Sequence, residues 1–224
     1  GLPELAPEQR QAIRSASRVT NTGCYPSAFL LLVRPLVEAG LLPADSTISI
    51  HALSGYTGGG KKLIDRWESA EAGLGSLPYE APYALGGVHK HVAEMHRYSG
   101  LTHAPQFVPA VGPFACGMRV EVPIHAQILT PGTTADSVYE LLHERYKNEP
   151  FVTVLDANGD GDERAFDPTS QNDSNCIVLH VAANSAGHLL LVGILDNLGK
   201  GASGTAIQCM NLMLDLGEET GLPK

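Results

Sequence analysis

The chain has 224 residues, 43% of them hydrophobic and 17% charged, with a formal net charge of -9. That length buries a full hydrophobic core, and that composition belongs to globular rather than disordered chains. The acidic balance argues against a sequence-independent nucleic-acid binder, which needs a basic face to displace counterions. No apolar run is long enough to span a bilayer and none reads as a signal peptide.

In chain order, residues 1–17 carry a short helix-like pattern behind Pro3 and Pro7. The turn Gly23-Cys24-Tyr25-Pro26 leads into an apolar helical run from Ala28 to Ala39. Pro26 suits the first turn of that helix, whereas Pro35 should kink or restart it. Ser46 to Leu53 alternates as a strand, followed by a glycine-rich loop, Ser54 to Gly60, and a helix from Lys61 to about Ala72. After an apolar stretch near Tyr79 to Leu85 come a short helix, Lys90 to Tyr98, and two strands, Gln106 to Val111 and Met118 to Ile128. Thr134 or Asp136 can cap a helix ending near Tyr146. Phe151 to Leu155, Asn175 to Ala183 and His188 to Leu195 read as strands, the last two joined by an Asn184-Ser185-Ala186-Gly187 hairpin turn. A helix from about Ala202 to Leu216, rich in small residues at its start, closes the chain. Hairpin-sized links rather than strict strand–helix alternation predict an α+β fold with a mainly antiparallel sheet.

Two segments carry candidate chemistry. In Asn21-Thr22-Gly23-Cys24-Tyr25-Pro26 a thiol stands at a helix N-terminus, where the dipole and unpaired N–H groups are expected to lower its pKa and hold a developing oxyanion. The competing reading is a buried structural cysteine, the usual fate of a free thiol and the one that fits Cys116, Cys176 and Cys209. All four cysteines are far apart with no CxxC pair, which reads as reduced thiols of a cytosolic protein and not as a disulfide framework or a zinc site. In His89-Lys90-His91-Val92-Ala93-Glu94, the i, i+3 spacing lets Glu94 orient His91 and raise its basicity, supplying the acid/base a thiolate mechanism needs. A polar surface turn is the plainer alternative, and a metal pair of His89 and His91 is disfavoured because i, i+2 side chains diverge on a helix.

Two further patterns are read as mimics. Gly55 to Lys62 (GYTGGGKK) matches the phosphate-loop pattern except at its last position, where Lys62 replaces the hydroxyl that ligates Mg²⁺. Its consecutive N–H groups can still cradle an anion. Asp156 to Asp167 imitates a calcium loop, but a strand precedes it and Pro168 follows, so a solvated loop is expected.

Five blocks, NTGCYPSA at Asn21 to Ala28, SGYTGGGKK at Ser54 to Lys62, YALGGVHKHVAE at Tyr83 to Glu94, VPAVGPFACGM at Val108 to Met118 and LDNLGKGASGTAIQCMN at Leu195 to Asn211, together resemble the shorter type of N-acetyl-γ-glutamyl-phosphate reductase. Thr22 departs from the family's more usual proline before Gly-Cys. The resemblance implies a glyceraldehyde-3-phosphate-dehydrogenase-like C-terminal catalytic domain: an antiparallel sheet with helices on one face. It makes Cys24 the nucleophile and His91 the acid/base, with Glu94 positioning His91. Ser54, Gly55, Tyr83 and His89 would bind substrate, and Asn197 would meet the nicotinamide of NADPH. The implied reaction is reduction of an acyl phosphate to the semialdehyde through a cysteine thioester, in arginine biosynthesis, without a metal. A cytoplasmic homodimer or homotetramer acting on a small molecule, with no nucleic-acid or membrane partner, is expected.

The family opens with a GxxGxxG dinucleotide-binding domain that does not precede Gly1. Residues 1–20 are therefore expected to end that domain, 21–196 to form the catalytic and oligomerisation domain, and 197–224 to pack on the absent part. The fragment is then expected to expose apolar surface near its C-terminus, to bind NADPH poorly and to be inactive alone. The alternatives are a reductase of aminoadipyl or aspartyl phosphate, a non-catalytic oligomerisation module, and a phosphate-loop hydrolase.

Overall fold

The computed structural model describes residues 1–86, 88–156 and 163–224. Among these residues seven strands, β1 (Ser49–Gly55), β2 (Ala81–Pro82), β3 (Gln106–Gly112), β4 (Met118–Ile124), β5 (Val152–Asp156), β6 (Ile177–Ala183) and β7 (Leu189–Leu195), form one sheet in the order β2-β3-β1-β4-β7-β6-β5. β1 and β3 pair in parallel, as do β5 and β6; the remaining four pairings are antiparallel. The sheet is thus mixed with an antiparallel majority. β1 and β3 are parallel because a long crossover returns the chain to the same end, the connection that parallel pairs require.

Among the described residues, six α-helices accompany the sheet: α1 (Gln9–Ser15), α2 (Cys24–Glu38), α3 (Lys61–Glu68), α4 (His91–Ser99), α5 (Ala135–Tyr146) and α6 (Gly204–Met213). The run Phe29-Leu30-Leu31-Leu32-Val33 is apolar on every side of α2 because every side is buried. α2 lies on the sheet between α4 and α5, and its side chains share one core with Val120, Val122, Leu179 and Leu191. Thr134 caps α5 in a reciprocal box with Ser137. On the opposite face of the sheet, the Phe166 ring meets His180 edge-on at 5.2 Å while Arg119 Nη1 donates to Phe166 O at 2.9 Å. The segment around Phe166 therefore lies over part of that face.

Pro35 does not restart α2, which runs through it. A proline at 35 leaves the carbonyl of Leu31 without its i+4 donor. The buried Tyr146 hydroxyl, from the last turn of α5, donates to Leu31 O at 2.9 Å and fills that vacancy. Tyr146→Phe should therefore destabilise the fold by about 1–3 kcal/mol, the penalty for a buried acceptor left alone. Added to Pro35→Ala, which restores the helix donor, it should cost much less; additive losses in urea melts would refute the compensation.

Other boundaries move modestly. α3 stops at Glu68 rather than Ala72, and β4 ends at Ile124, where the His125 side chain accepts from Gln127 N and caps a short 3₁₀ turn. The final helix is preceded by a π turn, Gly199–Ser203, and ends at Met213. Residues 157–162 of the calcium-like loop lie outside the described residues.

Candidate active site

Cys24 is the first residue of α2, and Gly23 before it is extended, so the chain turns sharply into the helix at the thiol. The thiol opens into a cleft lined by Cys24, Tyr25, Ser54, Gly55, Gly58, Gly59, Leu63, Tyr83, His89, Lys90, His91 and Val111. Three separate blocks of sequence meet here: the N-terminus of α2, the end of β1 with its glycine-rich turn, and the segment leading into α4. Ser54, Gly55, Tyr83 and His89, expected at the substrate, all line this cleft beside Cys24 and His91. Gly58 and Gly59 of the anion-cradling segment also line it, as do Tyr25 and Lys90, to which the sequence assigned no role at the site.

His91 sits directly over the nucleophile's turn. A Cβ on Gly23 would stand 2.6 Å from His91 Nε2, so only glycine admits the imidazole this close. His89 Nδ1 accepts from His91 N at 3.2 Å, capping α4 with a side chain from the preceding turn. In its neutral form His89 then carries its proton on Nε2, which faces Tyr83 Oη at 3.3 Å; Tyr83 in turn contacts Tyr25 Oη at 3.1 Å.

Glu94 behaves differently from expectation. Both its carboxylate oxygens receive Gly23 N–H, at 3.2 and 3.3 Å, and His91 Nδ1 is buried with no hydrogen-bond partner among the described residues. The carboxylate therefore holds the backbone of the nucleophile's turn instead of orienting the imidazole. The i, i+3 spacing was real, but Gly23 N–H, which needs an acceptor at the mouth of α2, took the carboxylate.

The protonation states also depart from expectation. Burial pushes the Cys24 thiol up to about 11, even though the N–H groups of Tyr25 and Cys24 and the charge of Lys90 favour the thiolate. Burial, followed by His89 and Lys90, pulls His91 down to about 4. Desolvation is the largest influence on both groups and outweighs the helix terminus. In the ligand-free chain at neutral pH the site thus holds a thiol and a neutral imidazole. Iodoacetamide labelling of Cys24, mapped by mass spectrometry, should accordingly rise with an apparent pKa near 11. A plateau of fast labelling below pH 8 would contradict that.

Asn197, at the end of β7, is buried; Oδ1 accepts from Gly117 N at 2.8 Å and Nδ2 donates to Thr57 Oγ1 at 3.3 Å. It ties the glycine-rich turn to the β3–β4 connection and lies beside Gly58, whose added Cβ would be 3.0 Å from Nδ2. In the GYTGGGKK segment, Gly55 ends β1, residues 56–59 form a 3₁₀ turn and Lys61 starts α3. Gly55, Gly58 and Gly59 wall the Cys24 cleft, while neither Lys61 nor Lys62 lines it. Gly201 is a contributor the sequence did not reveal: a Cβ there would stand 2.8 Å from Cys24 Cβ. Among the described residues, no cluster of His, Cys, Asp or Glu is arranged to hold a metal ion, and all four cysteines are free.

Comparison with known proteins identifies the family. Residues 24–197 match the family model described as semialdehyde dehydrogenase, dimerisation domain. The chain is 42% identical to N-acetyl-gamma-glutamyl-phosphate reductase from Trichormus variabilis, over 99% of its own length and 71% of that protein's. It is 43% identical to the enzyme of the same name from Burkholderia cenocepacia, over 96% of this chain and 68% of that one. Its fold is similar to aspartate semialdehyde dehydrogenase II from Vibrio cholerae, solved with ASA (TM-score 0.66, 16% identity, 96% of this chain and 67% of that one). It also resembles aspartate semialdehyde dehydrogenase from Francisella tularensis (TM-score 0.69, 13% identity, 95% of this chain and 70% of that one). A thiol at a helix mouth beneath an imidazole, on this sheet and at this level of identity, places the chain in the N-acetyl-γ-glutamyl-phosphate reductase family of oxidoreductases.

Proposed function

We propose that this chain carries the nucleophile, the acid/base and the substrate pocket for reduction of N-acetyl-γ-glutamyl phosphate to N-acetylglutamate 5-semialdehyde, a step of arginine biosynthesis in the cytoplasm. The observation that carries this reading is the juxtaposition of Cys24, at the N-terminus of α2, with His91 Nε2 packed over Gly23 in one cleft. Cys24 Sγ attacks the acyl carbonyl, its proton passes to neutral His91, and phosphate leaves, so that a thioester on Cys24 replaces the mixed anhydride. An acyl phosphate in the cleft also supplies the negative charge that favours imidazolium, so the ligand that presents the carbonyl makes His91 a stronger base. Tyr83, His89 and Lys90 are available to bind the substrate's anionic groups, with Ser54 as a further polar contact.

NADPH, when bound, supplies the hydride that a thioester accepts more readily than a carboxylate does. His91 gives its proton to the oxygen of the thiohemiacetal left on Cys24 or assists its collapse, and the aldehyde departs as the thiol is restored. Asn197 fits a role at the nicotinamide as a single donor: Nδ2 keeps a second proton after bonding Thr57, and the residue lies beside Gly58 of the cleft. Leu198, Ile207, Met210, Leu214 and Leu216 are exposed along α6 and its flanks. We assign this apolar face to contact with a dinucleotide-binding domain, with 21–196 as the catalytic and oligomerising unit, onto whose core residues 1–20 pack through Leu2 and Leu5. Assembly as a homodimer or homotetramer goes with the dimerisation domain named in the family description.

The acylation half-reaction tests this without cofactor. Freshly prepared N-acetyl-γ-glutamyl phosphate should release one equivalent of phosphate and add an N-acetylglutamyl group to the Cys24 peptide, slowed at least tenfold in His91→Gln, within the range of a lost acid/base. Equal acylation by aspartyl phosphate, or labelling elsewhere than Cys24, would refute the assignment.

A further inference from the structure

Lys200 belongs to no part of the chemistry above, yet it is a fully buried cation. Its Nζ lies 2.7 Å from Glu4 Oε1 and 2.7 Å from Gln208 Oε1, with Lys200 and Glu4 side chains both 0% exposed. Gln208 Nε2 donates onward to Glu4 Oε1 at 2.8 Å and Glu218 Oε1 at 2.7 Å, and Arg10 closes the cluster by pairing with Glu218 and Glu149. Lys200 also belongs to the π turn, Gly199–Ser203, whose wide bonds run Gly201 N to Asp196 O and Ser203 N to Leu198 O, both at 2.9 Å. Single π turns inserted in helices are frequent at functional sites. This one touches the nucleophile's loop twice: Ala202 O accepts from Asn21 Nδ2 at 2.7 Å, and Gly201 packs on Cys24 with no room for a Cβ. The segment that contributes Glu4 touches the same loop, since Gly1 O accepts from Thr22 Oγ1 at 2.7 Å.

We propose that Lys200 is a positioning residue for Cys24: its buried pair with Glu4 locks the π turn and the N-terminal segment together, and the two clasp the nucleophile's loop between them. The inference rests on the reading of Cys24 as the nucleophile. Lys200 touches neither substrate nor thiol; it acts through Gly201, Ala202 and the segment of Glu4. Loosening the clasp lets water reach the thiol and relaxes the burial that holds it protonated. Labelling of Cys24 should then become faster while its use in acylation becomes slower, a divergence that a merely structural role would not produce.

The test uses Glu4→Gln/Lys200→Met, which removes both charges and avoids stranding one, with Gly201→Ala as an independent variant that presses on Cys24 without changing charge. At pH 8, iodoacetamide labelling of Cys24 in folded protein should rise about threefold for each tenfold gain in thiolate, because weaker nucleophilicity offsets part of the gain. Phosphate release from the acyl phosphate should fall roughly tenfold or more, as displacement of a reacting atom does. An unchanged Cys24 labelling profile and an unchanged acylation rate in the double variant would overturn the proposal, whatever Gly201→Ala does; if the double variant does not fold, Glu4→Gln, which keeps a hydrogen-bond acceptor for Lys200 but removes the ion pair, decides in its place. If Cys24→Ser retains acylation, the nucleophile reading fails and this inference fails with it. If Cys24→Ser is inactive but the clasp variants match the parent, only the inference fails.

Discussion

In the enzyme that also carries its dinucleotide-binding domain, Cys24→Ser should lower turnover of N-acetyl-γ-glutamyl phosphate by on the order of 10⁴-fold or more, the scale of losing a covalent nucleophile. The change is nearly isosteric, so the cleft, the contact with Gly201 and the fold should persist and the thermal midpoint should move little. What changes is the chemistry: a serine hydroxyl at the same helix terminus is far less nucleophilic than sulfur and has only a weakly basic imidazole to draw its proton. Cys176→Ser is the control. Its residue lies outside the cleft, and turnover should stay within a few-fold of the parent. Steady-state assays and acylation mass spectrometry on both variants distinguish loss of the nucleophile from loss of structure. Near-normal turnover in Cys24→Ser would end the covalent mechanism.

Lys200→Met should bring the largest loss of stability, about 3–5 kcal/mol, because it strands the Glu4 carboxylate in the interior. For a chain of this length that corresponds to roughly 6–20 °C in Tm. The double variant Glu4→Gln/Lys200→Met should recover most of the loss, since a neutral, well-packed pair avoids the desolvation of two ions. The pH dependence follows from the carboxyl. Burial opposes its ionisation, but the Lys200 charge and the hydrogen bonds from Lys200 and Gln208 prevail and hold Glu4 below the usual glutamate range. A carboxyl lower in the folded than the unfolded state contributes its stability above the unfolded pKa of about 4.3 and loses it as pH falls through the lower folded value. The parent should therefore lose stability on acidification below pH ~4.3 more steeply than the double variant. Equal acid midpoints would contradict the linkage.

How much of this was legible in the sequence varies by element. The α2 run was clear because a helix buried on every side must be apolar on every side, and the thiol at its mouth was clear because Gly23 and Pro26 mark the turn. The five blocks also located the cleft: Ser54, Gly55, Tyr83, His89 and His91 meet Cys24 as expected. At Pro35 the helix continues without a restart, and the hydroxyl that satisfies the freed carbonyl of Leu31 comes from Tyr146, 115 residues beyond Leu31. Glu94 was assigned the wrong partner because helical spacing shows which side chains can meet but not which backbone donor competes for them.

By itself the sequence determined the order of the main elements and the family the chain belongs to, and it nominated Cys24 and His91 as the candidate reactive side chains, because these depend on local periodicity and on residue types in fixed patterns. Only the tertiary structure decided the charge states of Cys24 and His91, which desolvation sets against the local helix terminus. It also decided the contact of Gly201 with Cys24 and the pairing of Lys200 with Glu4, 196 residues apart. Burial and through-space contact are properties of the packed chain, and no local spacing encodes them.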